Sequence, residues 1–412
     1  MNLLVHTIFY APDLVGVAPY TATLCEWLAA RGHSVHVVAP PPYYPEWKIR
    51  PPYRSWTYSS ELHNGVRVSR CPIWIPRNPR GAARLAYAAS FALSSAFSLA
   101  RRLARPPDVV FVIEPSLLNA LPSLALARLT GAKAWLHIQD FEIDLAFDMG
   151  QLRPGVLQRL AAGVERALLR RFDLVSTISE PMLERAIAKG APPERTELLP
   201  NWVDTDAISP AGPCGYRAEL GIAPGKPVAL FSGSMGAKQA LDVLVAAARL
   251  LENSVDFVIC GDGPMAPKVR EWSRGFANVH LLPLQPAERL PELLRLADLH
   301  ILTQQASAAD RLMPSKLLGM LASGRPVAAT VAPETAAGRI VRECGLLAEP
   351  GNPEALAAIV ARLASDSELR ARLGTAGRRL AKTRFGKAAV LDAFDAALTR
   401  LASAWYNRPR PI

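Results

Sequence analysis

The chain has 412 residues, half of them apolar, a net charge of +11 and five scattered cysteines. That length exceeds one ordinary core and points to about two domains of roughly 200 residues each. The thiols (Cys25, Cys71, Cys214, Cys260, Cys344) form no C-x-x-C pair and no metal-ligand spacing, so a disulfide scaffold or zinc module is excluded and a reducing cytoplasmic setting is expected.

The first half alternates strand and helix signals. Leu3–Phe9 reads as a strand that follows the first methionine without a positively charged leader, so no signal peptide is expected. A loop containing Gly16 leads to a helix from about Pro19 to Ala30, closed by Arg31-Gly32, with proline at its start and glycine past its end. Ser34–Ala39 is the second strand, and Pro40 to Arg54, rich in proline and tyrosine, reads as an irregular surface excursion.

The charge is concentrated next. Between Arg50 and Arg105 stand ten arginines and one acid, Glu61. Inside that region Leu85 to Ala100 carries no charge and is flanked by Arg77, Arg80 and Arg84 on one side and Arg101, Arg102 and Arg105 on the other. An uncharged helix between arginine clusters suits docking on an anionic membrane surface through residues 77–105. A core helix with solvated ends fits the same pattern. No nucleic-acid-binding motif accompanies the basic stretch, so nucleic acid is not an expected partner. No segment reaches the roughly 20 apolar residues of a membrane span.

Val66–Cys71 and Asp108–Ile113 read as further strands, and Leu117–Leu129 as a helix. Lys133–His137 is a strand running into Gln139 and Asp140, and a long helix over about Val156–Arg171 precedes the strand Leu174–Ile178. Ser179 caps the next helix, with Pro181 just inside it. Ser209–Lys226, dense in proline and glycine, is the expected domain boundary.

The second half repeats the alternation, with strands near Val228–Phe231, Asp256–Cys260, Val279–Leu282, Leu299–Leu302, Val327–Ala329 and Leu346–Ala348. The last periodic helix covers about Ala388 to Trp405. Alternating β and α elements in both halves imply two doubly wound, Rossmann-like α/β domains with parallel sheets.

Ligands of open parallel sheets sit at the carboxyl ends of the strands. After Val228–Phe231 comes Ser232-Gly233-Ser234-Met235-Gly236, and then a helix expected from Lys238, an arrangement that presents backbone N–H groups and a mobile charge to an anion. Gly261-Asp262-Gly263-Pro264 follows the next strand. Pro314 is expected at the first position of a helix, with the amides of Ser315, Lys316 and Leu317 and the Lys316 charge facing outward. Two helix starts and two lysines at one sheet edge would neutralise a diphosphate without a metal. The D-x-D spacing at Asp204 and Asp206 has no further ligands near it in sequence, so no metal site is expected. His137, mid-strand and flanked by apolar residues, reads as a buried, satisfied side chain.

Pro200-Asn201-Trp202-Val203-Asp204, Gly261-Asp262-Gly263-Pro264 and Leu321-Ala322-Ser323-Gly324-Arg325-Pro326-Val327, in this order and spacing, resemble the retaining glycosyltransferases of family 4, which share the two-domain GT-B fold. The resemblance covers essentially the whole chain. Tyr10-Ala11-Pro12-Asp13, the segment Ala39 to Trp47, Leu136 to Glu142 and Met313 to Leu317 are similar to the colanic-acid-type (WcaI-like) branch, whose members build exopolysaccharide and O-antigen units.

The resemblance implies an acceptor-side domain of residues 1–205, with 388–412 packing back on it, and a nucleotide-sugar-binding domain of 206–387. It implies a nucleotide-diphospho-sugar co-substrate, guessed as GDP-fucose or a UDP-linked N-acetyl sugar, and no other cofactor. The acceptor would be a lipid-linked glycan at the inner face of the bacterial inner membrane. Lys238 and the amides of Ser315–Leu317 would hold the diphosphate beside Lys316, and Gly16, Gly233 and Ser234 would approach it. Asp262 between Gly261 and Gly263 would line the nucleotide pocket, and Asp140 and Gln139 would act at the reacting sugar and acceptor hydroxyl. No enzyme nucleophile is implied, because the family retains configuration by same-face attack. The family's E-x7-E glutamates fall on Arg311 and Gly319, leaving Asp310 as a stand-in for the first. A GT-B sugar-nucleotide epimerase and a non-catalytic two-domain binding protein are the alternatives.

Overall fold

Runs of valine, isoleucine and leucine that are apolar at successive positions cannot show a polar face to water, so they become strands covered on both sides. The computed structural model describes residues 1–13, 16–77, 81–141, 144, 155–305 and 314–406. The chain divides into two units, Met1–Pro200 with Leu391–Ile412, and Asn201–Val390.

The first unit contains β1 (Asn2–Thr7), β2 (Ser34–Ala39), β3 (Ser59–His63), β4 (Val66–Arg70), β5 (Val109–Glu114), β6 (Lys133–Ile138), β7 (Leu174–Thr177) and β8 (Thr196–Leu198). They form one sheet in the order β3-β4-β2-β1-β5-β6-β7-β8. Seven of its strands run parallel, the exception being β3, which pairs antiparallel with β4. The β3–β4 hairpin turns at Asn64 (φ 47°) and Gly65 (φ 82°). Asn-Gly supplies the two left-handed residues that a type I′ hairpin needs, so the alternation of strands alone overlooked a signal that was present.

The second unit carries β9 (Val228–Ser232), β10 (Asp256–Cys260), β11 (Val279–Leu282), β12 (Leu299–Thr303), β13 (Val327–Thr330) and β14 (Gly345–Leu347) in one parallel sheet ordered β11-β10-β9-β12-β13-β14. Its two faces divide the strand residues by parity. Val228 and Leu230 pack with Leu317 and Leu321 on one side, and Ala229 and Phe231 with Leu241 and Leu244 on the other.

Ser209–Lys226 does not separate the units. The break falls between Pro200 and Asn201, and Tyr216 and Ile222 are buried in the second unit's core. The last helix, Lys387–Tyr406, lays Phe394 against Phe111, Trp135 and His137. Arg31 and His33 pair with Asp392 and Asp395, and Arg400 with Glu197. These contacts place the end of the chain on the first unit.

Arg70 ties the first unit's loops together. Its side chain is 1% exposed, its guanidinium meets Glu61 at 2.5 Å, and it donates to the carbonyls of Pro40 (3.0 Å) and Ala11 (2.5 Å). Those carbonyls belong to the segments after β2 and β1. Arg70→Met removes one partner of a buried pair and orphans both carbonyls. Glu61 keeps about a third of its side chain in water, so the expected cost is about 3 kcal/mol, the low end for a broken buried pair, read as a lowered denaturation midpoint. A midpoint equal to that of the unsubstituted protein would show that the loops do not depend on it.

Candidate active site

In the second unit the chain leaves β9 at Gly233, whose φ of 133° is open only to glycine. Its N–H donates to the carbonyl of Cys260 at 3.0 Å. Across from it, Gly261 has φ 151°, and a Cβ there would lie 1.9 Å from the Gly233 oxygen. Gly263 repeats the arrangement at φ 149°, with the Met235 oxygen 2.7 Å from a Cβ. Met235 N–H donates to the carbonyl of Asp262, and Met265 N–H to that of Met235. The two loops are thus laced together by backbone at a separation that no side chain permits. Ser234 and the Asp262 side chain are exposed above them, the Asp262 carboxylate accepting the Gly263 N–H at 2.7 Å.

Lys316 enters from the far side. Its Nζ donates to Gln239 Oε1 at 2.6 Å, lies 4.1 Å over the Phe231 ring and would be 3.7 Å from a Cβ on Gly233. Burial pulls its pKa down to about 7. Burial beside a carboxamide oxygen and a ring face makes the charged form costly there. Gln239 is fixed in turn, its carbonyl accepting the Thr303 hydroxyl at 2.5 Å.

Three local expectations are corrected. The helix after Gly233 begins at Leu241, not Lys238, because Ala240 adopts a left-handed φ of 43° that ends the short turn Ala237–Gln239. Lys238 therefore sits in that turn, half-exposed, with its carbonyl accepting the Gln305 N–H. The other helix begins at Lys316, with Pro314 outside it. The Leu317 amide does not face outward, since it donates to the Pro314 carbonyl at 2.9 Å. Asp310 and Arg311 lie outside the described residues. At Gly319 a Cβ would meet Leu294 at 3.5 Å and Ile208 at 4.0 Å. That position faces apolar core, which suits glycine better than the family's glutamate.

In the first unit, the loops after β1, β2 and β6 bring Gly16, Tyr44 and Asp140 together. Gly16 has φ 68°, and its Cβ position is 3.8 Å from the Tyr44 ring. The Tyr44 phenol is pushed up by burial, with Arg84 opposing and Asp140 adding to the shift. Asp13 is buried under this loop, accepts the Tyr44 N–H at 3.3 Å and lies 3.6 Å from Arg50. Burial pushes its carboxyl up to about 6, with Arg50 opposing.

Gln139 departs from the expected role, because its side chain is buried and its amide stands 3.0 Å from His137 Nε2. His137 is fully covered, bonded through Nδ1 to Ser176 Oγ at 2.8 Å, and held neutral by burial. Its place in the core is as the sequence suggested. Asp204 accepts the amides of Asp206 and Ala207, forming a local turn. Phe231 and Gln239 had no signal of their own in the sequence and matter only through a neighbour from another strand, whereas Asp13 and Tyr44 stood inside segments that carried the resemblance without being singled out.

Residues 15–202 match the profile of a glycosyl transferase 4-like domain, and residues 226–366 that of glycosyl transferases group 1. Over 403 residues the chain is 36% identical to a protein of Escherichia coli K12 described as the colanic acid biosynthesis glycosyl transferase WcaI, covering 96% of this chain and 98% of that one. Sucrose-phosphate synthase of Thermosynechococcus elongatus superposes with a TM-score of 0.74 at 20% identity, over 98% and 99% of the two chains. Anabaena Alr3699/HepE, solved in complex with UDP, superposes with a TM-score of 0.72 at 16% identity, over 97% and 100%. At those identities the structural likeness speaks for the fold.

Proposed function

The chain belongs to glycosyltransferase family 4, with the GT-B fold, in the colanic-acid branch of exopolysaccharide biosynthesis, and from that premise we propose that it moves a sugar from a nucleotide-diphospho-sugar to a lipid-linked glycan with retention of configuration. The observation that carries this reading is the Gly233–Gly261–Lys316 cradle at the carboxyl ends of β9 and β10. Glycine backbone lets the diphosphate approach, and the lysine supplies charge where the leaving group develops it. Lys238 adds a second cation at the same strand end. Two lysines supply the countercharge that a metal would otherwise bring. Ser315 borders the cradle, and Asp262 and Ser234 face the nucleotide.

Asp140 serves as base or polar stabiliser toward the acceptor hydroxyl, with Tyr44 and Gly16 shaping its surroundings. Gln139 positions this segment through His137. GDP-fucose or a UDP-linked N-acetyl sugar is the proposed donor. Among the described residues no helix is long and apolar enough to cross a membrane. The helix Ala82–Ala100 exposes Leu85, Leu93 and Phe97 beside Arg101 and Arg105, which supports peripheral docking on an anionic bilayer at the inner face of the inner membrane.

The test is a thermal-shift screen against GDP-, UDP- and dTDP-sugars in chelator. One nucleotide class at about a hundred times its Kd should raise the midpoint by roughly 5 °C or more, and Lys238→Ala should reduce that shift. Asp140→Asn should keep the shift and lower kcat by about 100-fold. No shift with any nucleotide in folded protein would refute the donor site.

A further inference from the structure

Away from the glycine cradle, the first unit carries an open groove of about 1040 Å³ walled by Trp47, Trp56 and Trp74. That is the upper end of the roughly 300–1,000 Å³ usual for small-molecule sites. Its walls come from the excursion after β2, the segment after β4 and the helix Ala82–Ala100. Helix serines pin the wall in place, since Ser90 Oγ accepts the Trp74 N–H at 3.0 Å and Ser94 Oγ donates to the Pro72 carbonyl at 2.5 Å. Trp56 is nonetheless 73% exposed and Trp74 51%. Two indoles held open to water by a fixed wall are costly unless something covers them.

The two ends of the groove say what that is. At the inner end Trp47, held at φ 54°, packs its ring edge-on to Tyr44 at 6.3 Å. Tyr44 in turn lies beside Gly16 and within the field of Asp140. A bulky residue in that backbone region persists only where packing over-determines it, and the rings of Tyr43 and Tyr87 do so here. At the outer end Tyr58 donates to the Ser94 carbonyl and meets the Phe97 ring at a tilt, 5.5 Å between centroids, next to the exposed Leu93. Through Trp47 the groove wall touches the loop that carries Tyr44, and through Ser94 it adjoins the apolar helix face.

Its charge is one-sided. Glu46 is engaged by Arg50 at 2.8 Å, whereas Lys48 and Arg77 meet no acid within ion-pair distance among the described residues. Indoles with two uncompensated cations suit neither a neutral glycan nor a bare hydrocarbon. They suit an apolar chain that ends in phosphate.

We propose that this groove binds the prenyl diphosphate end of the lipid-linked acceptor, its isoprene units against Trp56 and Trp74 and its phosphates against Lys48 and Arg77. This rests on the glycosyltransferase reading. Isothermal titration of the full chain with farnesyl diphosphate tests it, with farnesol, inorganic diphosphate and a neutral oligosaccharide as parallel arms. Farnesyl diphosphate should bind saturably and at least about ten-fold more tightly than farnesol or diphosphate alone. Trp56→Ser with Trp74→Ser, both at exposed positions, should weaken it by about ten-fold or more, as should Lys48→Gln with Arg77→Gln. Lys316→Met should leave it unchanged, which separates this site from the donor cradle.

Absence of saturable binding would overturn the proposal. So would equal binding of inorganic diphosphate indifferent to the tryptophans, or preference for the oligosaccharide. The nucleotide-sugar thermal shift must survive in the tryptophan variant. A shift without lipid binding sinks the groove alone, and lipid binding without a shift sinks the donor reading alone.

Discussion

Replacing Lys316 by methionine is expected to lower kcat/KM for the nucleotide-sugar by about 100- to 1,000-fold, the loss of roughly 3–4 kcal/mol that follows removal of one preorganised donor aimed at developing charge. In the free protein the ammonium has a carboxamide oxygen at 2.6 Å, a ring face at 4.1 Å and little water, and its pKa falls to about 7. A diphosphate placed beside it favours the charged form, so the bound pKa must rise. At pH 8 the free lysine is mostly neutral and the bound one charged, and donor binding should take up close to one proton. Calorimetry in buffers of different ionisation enthalpy measures that uptake, and it should vanish in Lys316→Met. No uptake, or an uptake that persists in the variant, would remove Lys316 from the phosphate site.

Stability moves the other way. The folded pKa lies below the unfolded value of 10.5, so the folded state disfavours the charged lysine. That penalty is present in full below about pH 7 and fades as pH rises from there toward 10.5. Lys316→Met should therefore stabilise the free protein most near pH 6, with the gain disappearing at high pH. A residue that destabilises the fold while enabling binding is the behaviour expected of a functional group.

Gly261→Ala should be the most damaging single methyl in the second unit. The added Cβ would stand 1.9 Å from the Gly233 oxygen at a φ of 151°. The obstacle is backbone at the end of β9, which cannot swing aside as a side chain would. Conformational strain and overpacking together come to about 3 kcal/mol or more. For a unit of this size that lowers the melting midpoint by roughly 6–12 °C, and nucleotide affinity should fall with it because Gly233 is displaced. Gly225→Ala is the control: its φ is 79° and nothing lies within 4 Å, so it carries backbone strain without collision. Equal midpoints for the two variants would mean that the close approach of the loops carries no weight.

The sequence by itself determined the parallel α/β class, most of the strands and the glycine-rich make-up of the loops that follow them. Unbroken apolar runs must be covered on both faces, as Val228–Ser232 is, and glycines flank loops where backbone must come close. It also held the Asn64-Gly65 hairpin, a strictly local device. Helix starts were less legible. Lys238 and Pro314 each satisfy the local rules, yet a left-handed Ala240 and a turn closing on Leu317 shift both starts by two or three positions. What only the tertiary structure decided is which loops meet. The crossovers place β9 between β10 and β12, which sets Gly233 against Gly261 and brings Lys316 over Phe231. In the other unit the strand order gathers Gly16, Tyr44 and Asp140. Those encounters depend on strand order and register across long loops, and no local preference encodes a partner that arrives from another crossover.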